Sequence, residues 1–127
     1  MPRRALVVDD SRAVRVLLRR LLSSLDFEVH EACDGEEALR RLGELGPLDL
    51  ALVDWNMPRM DGLSFIKAVR ADLAYERMAL VMVTSESAPA HIARALMSGA
   101  DEYALKPMTR EALVDKLALV GLAPEEP

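Results

Sequence analysis

The segment LALVDWNMPRMDG, residues 50–62, opens with four aliphatic residues and turns polar at Asp54. A short apolar run that ends in turn-forming residues is typical of a strand buried on both faces, as in a parallel sheet. Asp54 would then stand at the carboxyl end of this strand. A carboxylate in such a place needs a partner or a chemical task.

Four further apolar runs predict four more strands. They are ALVV (5–8), EVHEA (28–32), ALVMV (79–83) and EYAL (102–105), and amphipathic helical patterns separate them. Because parallel strands need crossover connections, usually helices, regular alternation predicts helices on both faces of one sheet. The predicted fold class is α/β, a doubly wound parallel sheet of five strands.

Side chains that cap helices mark where the helices begin. Ser11, Asp34, Asp61 and Thr109 are expected N-caps, and DGEE (34–37) is similar to a capping box. A fourth helix is predicted over about 88–98, ended by Gly99.

Length and charge restrict the class of protein. The 127 residues, 51% of them hydrophobic, match one domain, predicted as residues 1–122, followed by a short tail or the start of a linker at 123–127. The net charge of -5 argues against nucleic-acid or membrane partners. A single cysteine, Cys33, and no apolar stretch of signal-peptide or membrane-spanning length favour a cytoplasmic protein, which we expect to be a monomer.

Polar residues gather where the predicted strands end. The first strand is followed by Asp9 and Asp10 and the third by Asp54, while Thr84 and Lys106 follow the fourth and fifth. Ligands of doubly wound sheets bind at these carboxyl ends. Carboxylates brought together repel one another unless a cation joins them, and oxygen ligands suit a hydrated Mg²⁺. Lys106 and the Thr84 hydroxyl are then spare donors, of the kind that bind phosphoryl oxygens.

The segments VVDDS, DWNMPRMDG, MVTSE and GADEYALKP resemble the receiver domain of two-component response regulators, over nearly the whole chain. The resemblance is greatest to single-domain chemotaxis regulators of the CheY type. It implies the flavodoxin-like strand order 2-1-3-4-5. It also implies a cis peptide bond before Pro107.

The resemblance assigns roles to individual residues. Asp54 would accept a phosphoryl group from a histidine kinase, and Thr84 and Lys106 would hold the phosphoryl oxygens. Asp10, Asp54 and the backbone carbonyl of Asn56 would ligate Mg²⁺, and Asp9 would act largely through water. The domain would catalyse its own phosphorylation and dephosphorylation without being an enzyme for another substrate.

Further implied roles concern the lifetime of the phosphorylated state and its output. Asn56 and Glu86 would flank the path of the hydrolytic water, and both match the chemotaxis type, which implies rapid self-dephosphorylation. Thr84 and Tyr103 would form the switch, and an effector protein would bind the face made by the fourth helix, fifth strand and fifth helix. We expect a separate effector protein, since no output domain follows residue 121.

Other interpretations stay open at this point. The chain could be an input domain cut from a longer response regulator or hybrid kinase, a phosphate sink, or a pseudo-receiver. A phosphatase of the haloacid dehalogenase type would need an acid where Asn56 stands. The segment SAPAHIA (87–93) lacks the lysine at which chemotaxis regulators meet the flagellar motor, and Met108 replaces a common phenylalanine. Trp55 covers the surface or meets a partner, Tyr103 could simply be a sheet-edge aromatic, and His30, Cys33 and His91 have no motif around them.

Overall fold

Parallel strands form the centre of the computed structural model, which describes residues 2–124. In this part of the chain the sheet has five strands, in the order β2-β1-β3-β4-β5, all paired in parallel. The strands are β1 (Arg3–Val8), β2 (Phe27–Ala32), β3 (Leu50–Val53), β4 (Ala79–Thr84) and β5 (Glu102–Leu105). The predicted fold class and strand order are confirmed.

Helices connect successive strands. They are α1 (Arg12–Ser24), α2 (Gly35–Leu45), α3 (Gly62–Arg70), α4 (Pro89–Ser98) and α5 (Arg110–Leu119), with a 3₁₀ turn at Leu73–Tyr75. All four expected N-caps accept a hydrogen bond from the backbone N–H three residues on; they are Ser11, Asp34, Asp61 and Thr109. The capping box is modified, because Glu37 accepts from the N–H of Cys33 and not from that of the cap itself.

Alternate residues of the strands enter two separate cores. Leu6 and Val8 pack with α2, α3 and α4 on one face, whereas Ala5 and Val7 pack with α1 and α5 on the other. All four residues of β3 are buried, as a strand covered on both faces requires. This two-sided core fixes the strand ends from which the polar residues project.

Gly62 lets α3 begin directly beside the end of β3. A Cβ at this position would lie 1.9 Å from the carbonyl oxygen of Asp54. The Gly62 N–H donates to the carbonyl of Trp55 at 2.9 Å, which closes the loop between Asp54 and the helix. Any larger residue at this position would push the loop away from Asp54.

The ends of the chain bear on the predicted domain limits. Arg3 donates from Nη1 to the carbonyls of Leu122 and Ala123, at 3.0 and 2.9 Å, and so ties β1 to the segment after α5. Residues 125–127 of the predicted tail lie outside the described residues, as does Met1. The domain limits remain a prediction. Between residues 2 and 124, none of the helices has the length and apolar character needed to cross a membrane.

Candidate functional site

Three carboxylates meet at the carboxyl ends of two neighbouring strands. Asp9 and Asp10 follow β1, Asp54 follows β3, and one oxygen from each lies within 4.8 Å of the others. Asp9 and Asp54 are buried, with 1% and 7% of their surface exposed, whereas Asp10 is exposed. The structure therefore brings together the acids that the sequence predicted as metal ligands.

Both carboxylate oxygens of Asp9 already have donors. Oδ1 accepts from the N–H of Ser11 at 2.8 Å, and Oδ2 lies 2.8 Å from Nζ of Lys106. The backbone carbonyl of Asp9 also accepts from Arg15 at 2.7 Å. An acid held in this way suits the indirect, water-mediated contact with a cation that was expected of Asp9.

Asp54 lies in an unfavourable setting for a negative charge. Burial raises the pKa of its carboxyl group, and the charge of Asp9 raises it further, while Lys106 and the Trp55 N–H partly offset the rise. Oδ1 accepts from that N–H at 2.8 Å, and Oδ2 lies 3.2 Å from the lysine ammonium. A divalent cation beside Asp54 would therefore relieve repulsion.

Lys106 bridges two of the acids. Its ammonium contacts both Asp9 and Asp54, so the expectation that it is spare is wrong for this structure. Burial alone would lower the pKa of Lys106, but the hydrogen bond to Asp9 and the charge of Asp54 raise it overall. The peptide bond from Lys106 to Pro107 is cis, as expected. An ammonium beside two buried carboxylates pairs with them, because otherwise all three charges would be uncompensated.

The donor set fits Mg²⁺. The carboxylate oxygens of Asp9, Asp10 and Asp54 are hard ligands, and the cluster that they form within the described residues contains no histidine or cysteine. That the backbone carbonyl of Asn56 joins them stays a prediction. Burial and the charge of Asp9 raise the pKa of Asp54, and a cation beside the acids would offset this repulsion.

Thr84 and Tyr103 meet at the backbone of Glu86. The Thr84 hydroxyl oxygen accepts from the Glu86 N–H at 3.4 Å, and the Tyr103 hydroxyl donates to the Glu86 carbonyl. Thr84 is 1% exposed and Tyr103 is 5% exposed, so the tyrosine is already turned inward here. The predicted switch pair is therefore connected through one residue of the loop after β4.

Asn56 and Glu86 lie at the rim of the site. Nδ2 of Asn56 donates to Oε1 of Glu86 at 3.4 Å and joins the loops after β3 and β4. Both side chains are more exposed than Asp54 and Thr84. The pair expected to flank the hydrolytic water is thus joined and more exposed than the buried acid, and its role stays a prediction.

Two residues of α4 that the sequence analysis did not use cover Trp55. The ring of His91 packs edge-on against the indole, with 5.1 Å between ring centroids, and Cζ of Arg94 lies 5.7 Å from the indole centroid. Trp55 is only 7% exposed, so it is itself covered by these two side chains and does not form the surface as one of the expectations had it. The sequence does show that His91 and Arg94, three residues apart on α4, lie on the same face of the helix. It does not show that Trp55 packs against that face.

The other residues without a motif have structural contacts. His30 contacts Glu28 and Arg41, and the thiol of Cys33 contacts Asp34. Burial raises the pKa of this thiol, which argues against thiolate chemistry. Met108 is 4% exposed and packs into the core beneath α5.

Residues 5–118 match the family described as response regulator receiver domain. The chain belongs to this family. It is 40% identical over 116 residues to the chemotaxis protein CheY1 of Helicobacter pylori, covering 91% of this chain and 94% of that protein. It is also 41% identical over 113 residues to a chemotaxis protein CheY homolog of Campylobacter jejuni, covering 88% and 87% respectively. Among solved structures, the chemotaxis response regulator CheY4 of Vibrio cholerae is similar with a TM-score of 0.86 and 33% identity, over 94% of this chain and 99% of that one.

Proposed function

We propose that this protein is a Mg²⁺-dependent phosphoacceptor switch of a two-component system, in which Asp54 receives a phosphoryl group from a histidine kinase. The observation that carries the proposal is the convergence of Asp54 with Asp9 and Asp10 within 4.8 Å, with Lys106 beside two of them. Membership of the receiver family supports the same chemistry.

The transfer forms one bond and breaks one. A carboxylate oxygen of Asp54 bonds to phosphorus, the bond from phosphorus to the donor nitrogen breaks, and its electron pair stays on the leaving imidazole, which takes up a proton. Oδ1 of Asp54 is held by the Trp55 N–H, and this fixes the orientation of the carboxylate. Asp10, Asp54 and the Asn56 carbonyl would hold Mg²⁺, with Asp9 acting through water. The ion supplies positive charge that neutralises the acids and the phosphoryl oxygens.

Lys106 and Thr84 would then bind the product. The Lys106 ammonium stands 3.2 Å from Asp54 and needs only a small movement to pair with a phosphoryl oxygen. The Thr84 hydroxyl, now an acceptor for Glu86, can rotate to donate to a second oxygen. Asn56 and Glu86 would tune the loss of the phosphoryl group, because they stand at its solvent side.

The output would pass through Tyr103 to the face formed by α4, β5 and α5, where an effector protein binds. The names of the H. pylori and C. jejuni relatives favour a chemotaxis pathway, with a chemotaxis histidine kinase as phosphodonor. We place the protein in the cytoplasm as a monomer, without nucleic-acid or membrane partners, in keeping with its net charge of -5.

Intact-mass spectrometry after incubation with acetyl phosphate tests this function. We expect the mass of one phosphoryl group to be gained with Mg²⁺ and not with EDTA. Asp54→Asn should gain none, because the amide is isosteric but not a nucleophile. Asp61→Asn is the matched control: Asp61 caps α3, asparagine caps equally well, and phosphorylation should persist. A phosphate gained by Asp54→Asn would place the acceptor elsewhere.

A further inference from the structure

The backbone on both sides of Asp10 is held by hydrogen bonds. The carbonyl of Asp9, in the peptide bond before Asp10, accepts from Nη1 of Arg15 at 2.7 Å. The N–H of Ser11, in the peptide bond after Asp10, donates to Oδ1 of Asp9 at 2.8 Å. Because these two peptide groups flank the Cα of Asp10, holding both of them fixes the φ and ψ angles of Asp10 and the direction in which its side chain leaves the backbone.

The carboxylate of Asp10 depends on this backbone for its place in the acid cluster. Asp10 is exposed, and one of its oxygens lies within 4.8 Å of oxygens of Asp9 and Asp54. The carboxylates of Asp9 and Asp54 are each held by a backbone N–H and by Lys106. Within residues 2–124, the carboxylate of Asp10 has no such partner. The orientation of its backbone therefore decides where this carboxylate stands.

Arg15 is itself held by an ion pair. Nε of Arg15 lies 3.2 Å from Oε1 of Glu31, and only 17% of the arginine side chain is exposed. Glu31 belongs to β2, which pairs with β1, the strand that ends before Asp9. Two nitrogens of one planar guanidinium thus contact the Glu31 carboxylate and the Asp9 carbonyl. The guanidinium is held between β2 and the turn that carries Asp10.

The stability of α1 does not explain an arginine at this position. Arg15 lies near the start of α1, whose first turn contains no acidic residue. A positive charge near the start of a helix opposes the helix dipole, so the local effect of Arg15 is unfavourable. The favourable contacts of Arg15 lie outside the helix, with Glu31 and with the carbonyl that precedes Asp10.

We propose that Arg15 is a positioning residue that orients the carboxylate of Asp10 toward Mg²⁺ through the carbonyl of Asp9. The proposal rests on the proposed phosphoacceptor function, in which Asp10 is a metal ligand, and adds a residue that controls the affinity of the metal site. The charge of Arg15 alone would have the opposite effect, because a guanidinium repels a nearby cation. Loss of Arg15 would therefore strengthen Mg²⁺ binding through charge and weaken it through position, and we expect it to weaken binding.

The Mg²⁺ dissociation constant of the full-length, unphosphorylated protein measures this effect. MgCl₂ is titrated at constant ionic strength, and the NMR amide signals of the residues beside the three acids report binding. We expect Arg15→Ala to raise the Kd about tenfold, the lower end of the range for residues that orient metal ligands. Arg15→Lys should be intermediate, because lysine keeps the charge but lacks the planar fork that contacts both partners.

Arg19→Ala is the matched control. Arg19 lies one turn further along α1 and also pairs with Glu31, at 3.2 Å, but its side chain is 59% exposed. In the described part of the chain its guanidinium does not contact the turn that carries Asp10. Its removal should leave the Kd for Mg²⁺ unchanged. Melting curves in EDTA show the stability of each variant, and a merely structural role of Arg15 would lower the melting temperature without changing the Kd.

The rate of phosphorylation by acetyl phosphate gives a second measurement. In Arg15→Ala, the Mg²⁺ concentration that gives half of the maximal rate should rise by the same factor as the Kd. The rate at saturating Mg²⁺ should stay close to that of the wild type, because Asp54 and Lys106 are unchanged. A lower rate at saturating Mg²⁺ with an unchanged half-maximal concentration would contradict a role in metal affinity.

The outcomes distinguish the two proposals. If the wild-type protein binds no Mg²⁺, both are overturned; if it binds Mg²⁺ but gains no phosphoryl group, only the phosphoacceptor function is overturned. If the wild type does both and Arg15→Ala binds Mg²⁺ as tightly or more tightly, only the role of Arg15 is overturned. An equal rise of the Kd in Arg19→Ala would also overturn it. If Arg15→Ala does not fold, Arg15→Lys decides, and a wild-type Kd in that variant would overturn the role.

Discussion

The ammonium of Lys106 lies 3.2 Å from the carboxylate oxygen Oδ2 of Asp54, the residue that we propose as phosphoacceptor. The same ammonium is 2.8 Å from Asp9, so one cation serves two buried acids. A lysine in this position compensates the charge of the two acids before the reaction. After the reaction it can form an ion pair with an oxygen of the phosphoryl group. Its contribution should therefore differ between the phosphorylation step and the response that follows.

Lys106→Ala should impair the response more than the chemistry. Asp54 and the predicted Mg²⁺ ligands remain, so acetyl phosphate should still modify the protein, but the product loses the cation that holds a phosphoryl oxygen. We expect the phosphorylated variant to show little change in the NMR amide signals of α4 and β5. Lys67→Ala, in α3, is the matched lysine control. Equal spectral changes in phosphorylated Lys106→Ala and wild type would contradict this role.

Asp54→Asn should raise the melting temperature near neutral pH without Mg²⁺. Burial and Asp9 raise the pKa of Asp54, so the folded protein binds this proton more tightly than the unfolded chain. The stability that results is present below the unfolded pKa and is lost as the pH rises through the higher folded pKa. The ionised carboxylate therefore carries a penalty from burial and from the charge of Asp9, which the neutral amide lacks.

Thermal denaturation followed by circular dichroism measures this difference. The gain should be a few degrees, on the scale that about 1 kcal/mol gives for a domain of this size, and it should shrink as the pH falls toward about 4. An unchanged or lower melting temperature at neutral pH would mean that the ion pair with Lys106 outweighs the cost of burial and repulsion.

Mg²⁺ should stabilise the unphosphorylated protein. The ion relieves the repulsion among Asp9, Asp10 and Asp54 only where folding has gathered them, so it binds the native state. At ten times its dissociation constant the gain is about 1.4 kcal/mol. Melting curves at matched ionic strength, set with NaCl, measure the gain and remove general screening. No shift up to tens of millimolar Mg²⁺, roughly the reach of weak sites, would count against the metal site.

The sequence predicted β3 with its observed limits, because a strand buried on both faces has an apolar residue at every position. The apolar pattern predicted that β1 begins at residue 5, whereas the strand begins two residues earlier, at Arg3. Arg3 and Arg4 are polar, and groups far along the chain hold them: Arg3 donates to Leu122, and the Arg4 N–H donates to Asp49. An apolar pattern cannot reveal a strand end that such contacts stabilise.

The residues of the site were predictable for a similar reason, since parallel topology carries all strand ends to one edge of the sheet. The contacts between these side chains were not predictable. The contact of Lys106 with Asp9 and the contact of His91 with Glu86 and Trp55 depend on side-chain positions that periodicity does not encode. The sequence therefore predicted which acids form the cluster. It could not predict which oxygens of Asp9 and Asp54 accept a hydrogen bond or pair with Lys106.

Beryllofluoride with Mg²⁺, a mimic of the phosphoryl group, should perturb α4 and β5 and leave α2 nearly unchanged. The mimic at Asp54 should draw in the Thr84 hydroxyl, which now accepts from the Glu86 N–H, and the Glu86 carbonyl holds Tyr103. We expect NMR amide shifts over residues 85–98 and 102–106, with residues 36–42 nearly fixed. Such a mimic shifts a population between two states, so partial saturation should give intermediate or doubled signals.

Two variants test whether Tyr103 carries this change outward. Tyr103→Phe keeps the buried ring but loses the hydroxyl donor to Glu86, and Tyr103→Ala loses both. Because Tyr103 lies on β5 and not among the acids, both should bind beryllofluoride at Asp54. Tyr103→Ala should lose the shifts across β5 and α4, with Tyr103→Phe intermediate if the hydroxyl contributes. Shifts confined to the loops at Asp9, Asp54 and Thr84 in wild type would mean that the site transmits nothing to this face, which would favour a phosphate sink over a switch.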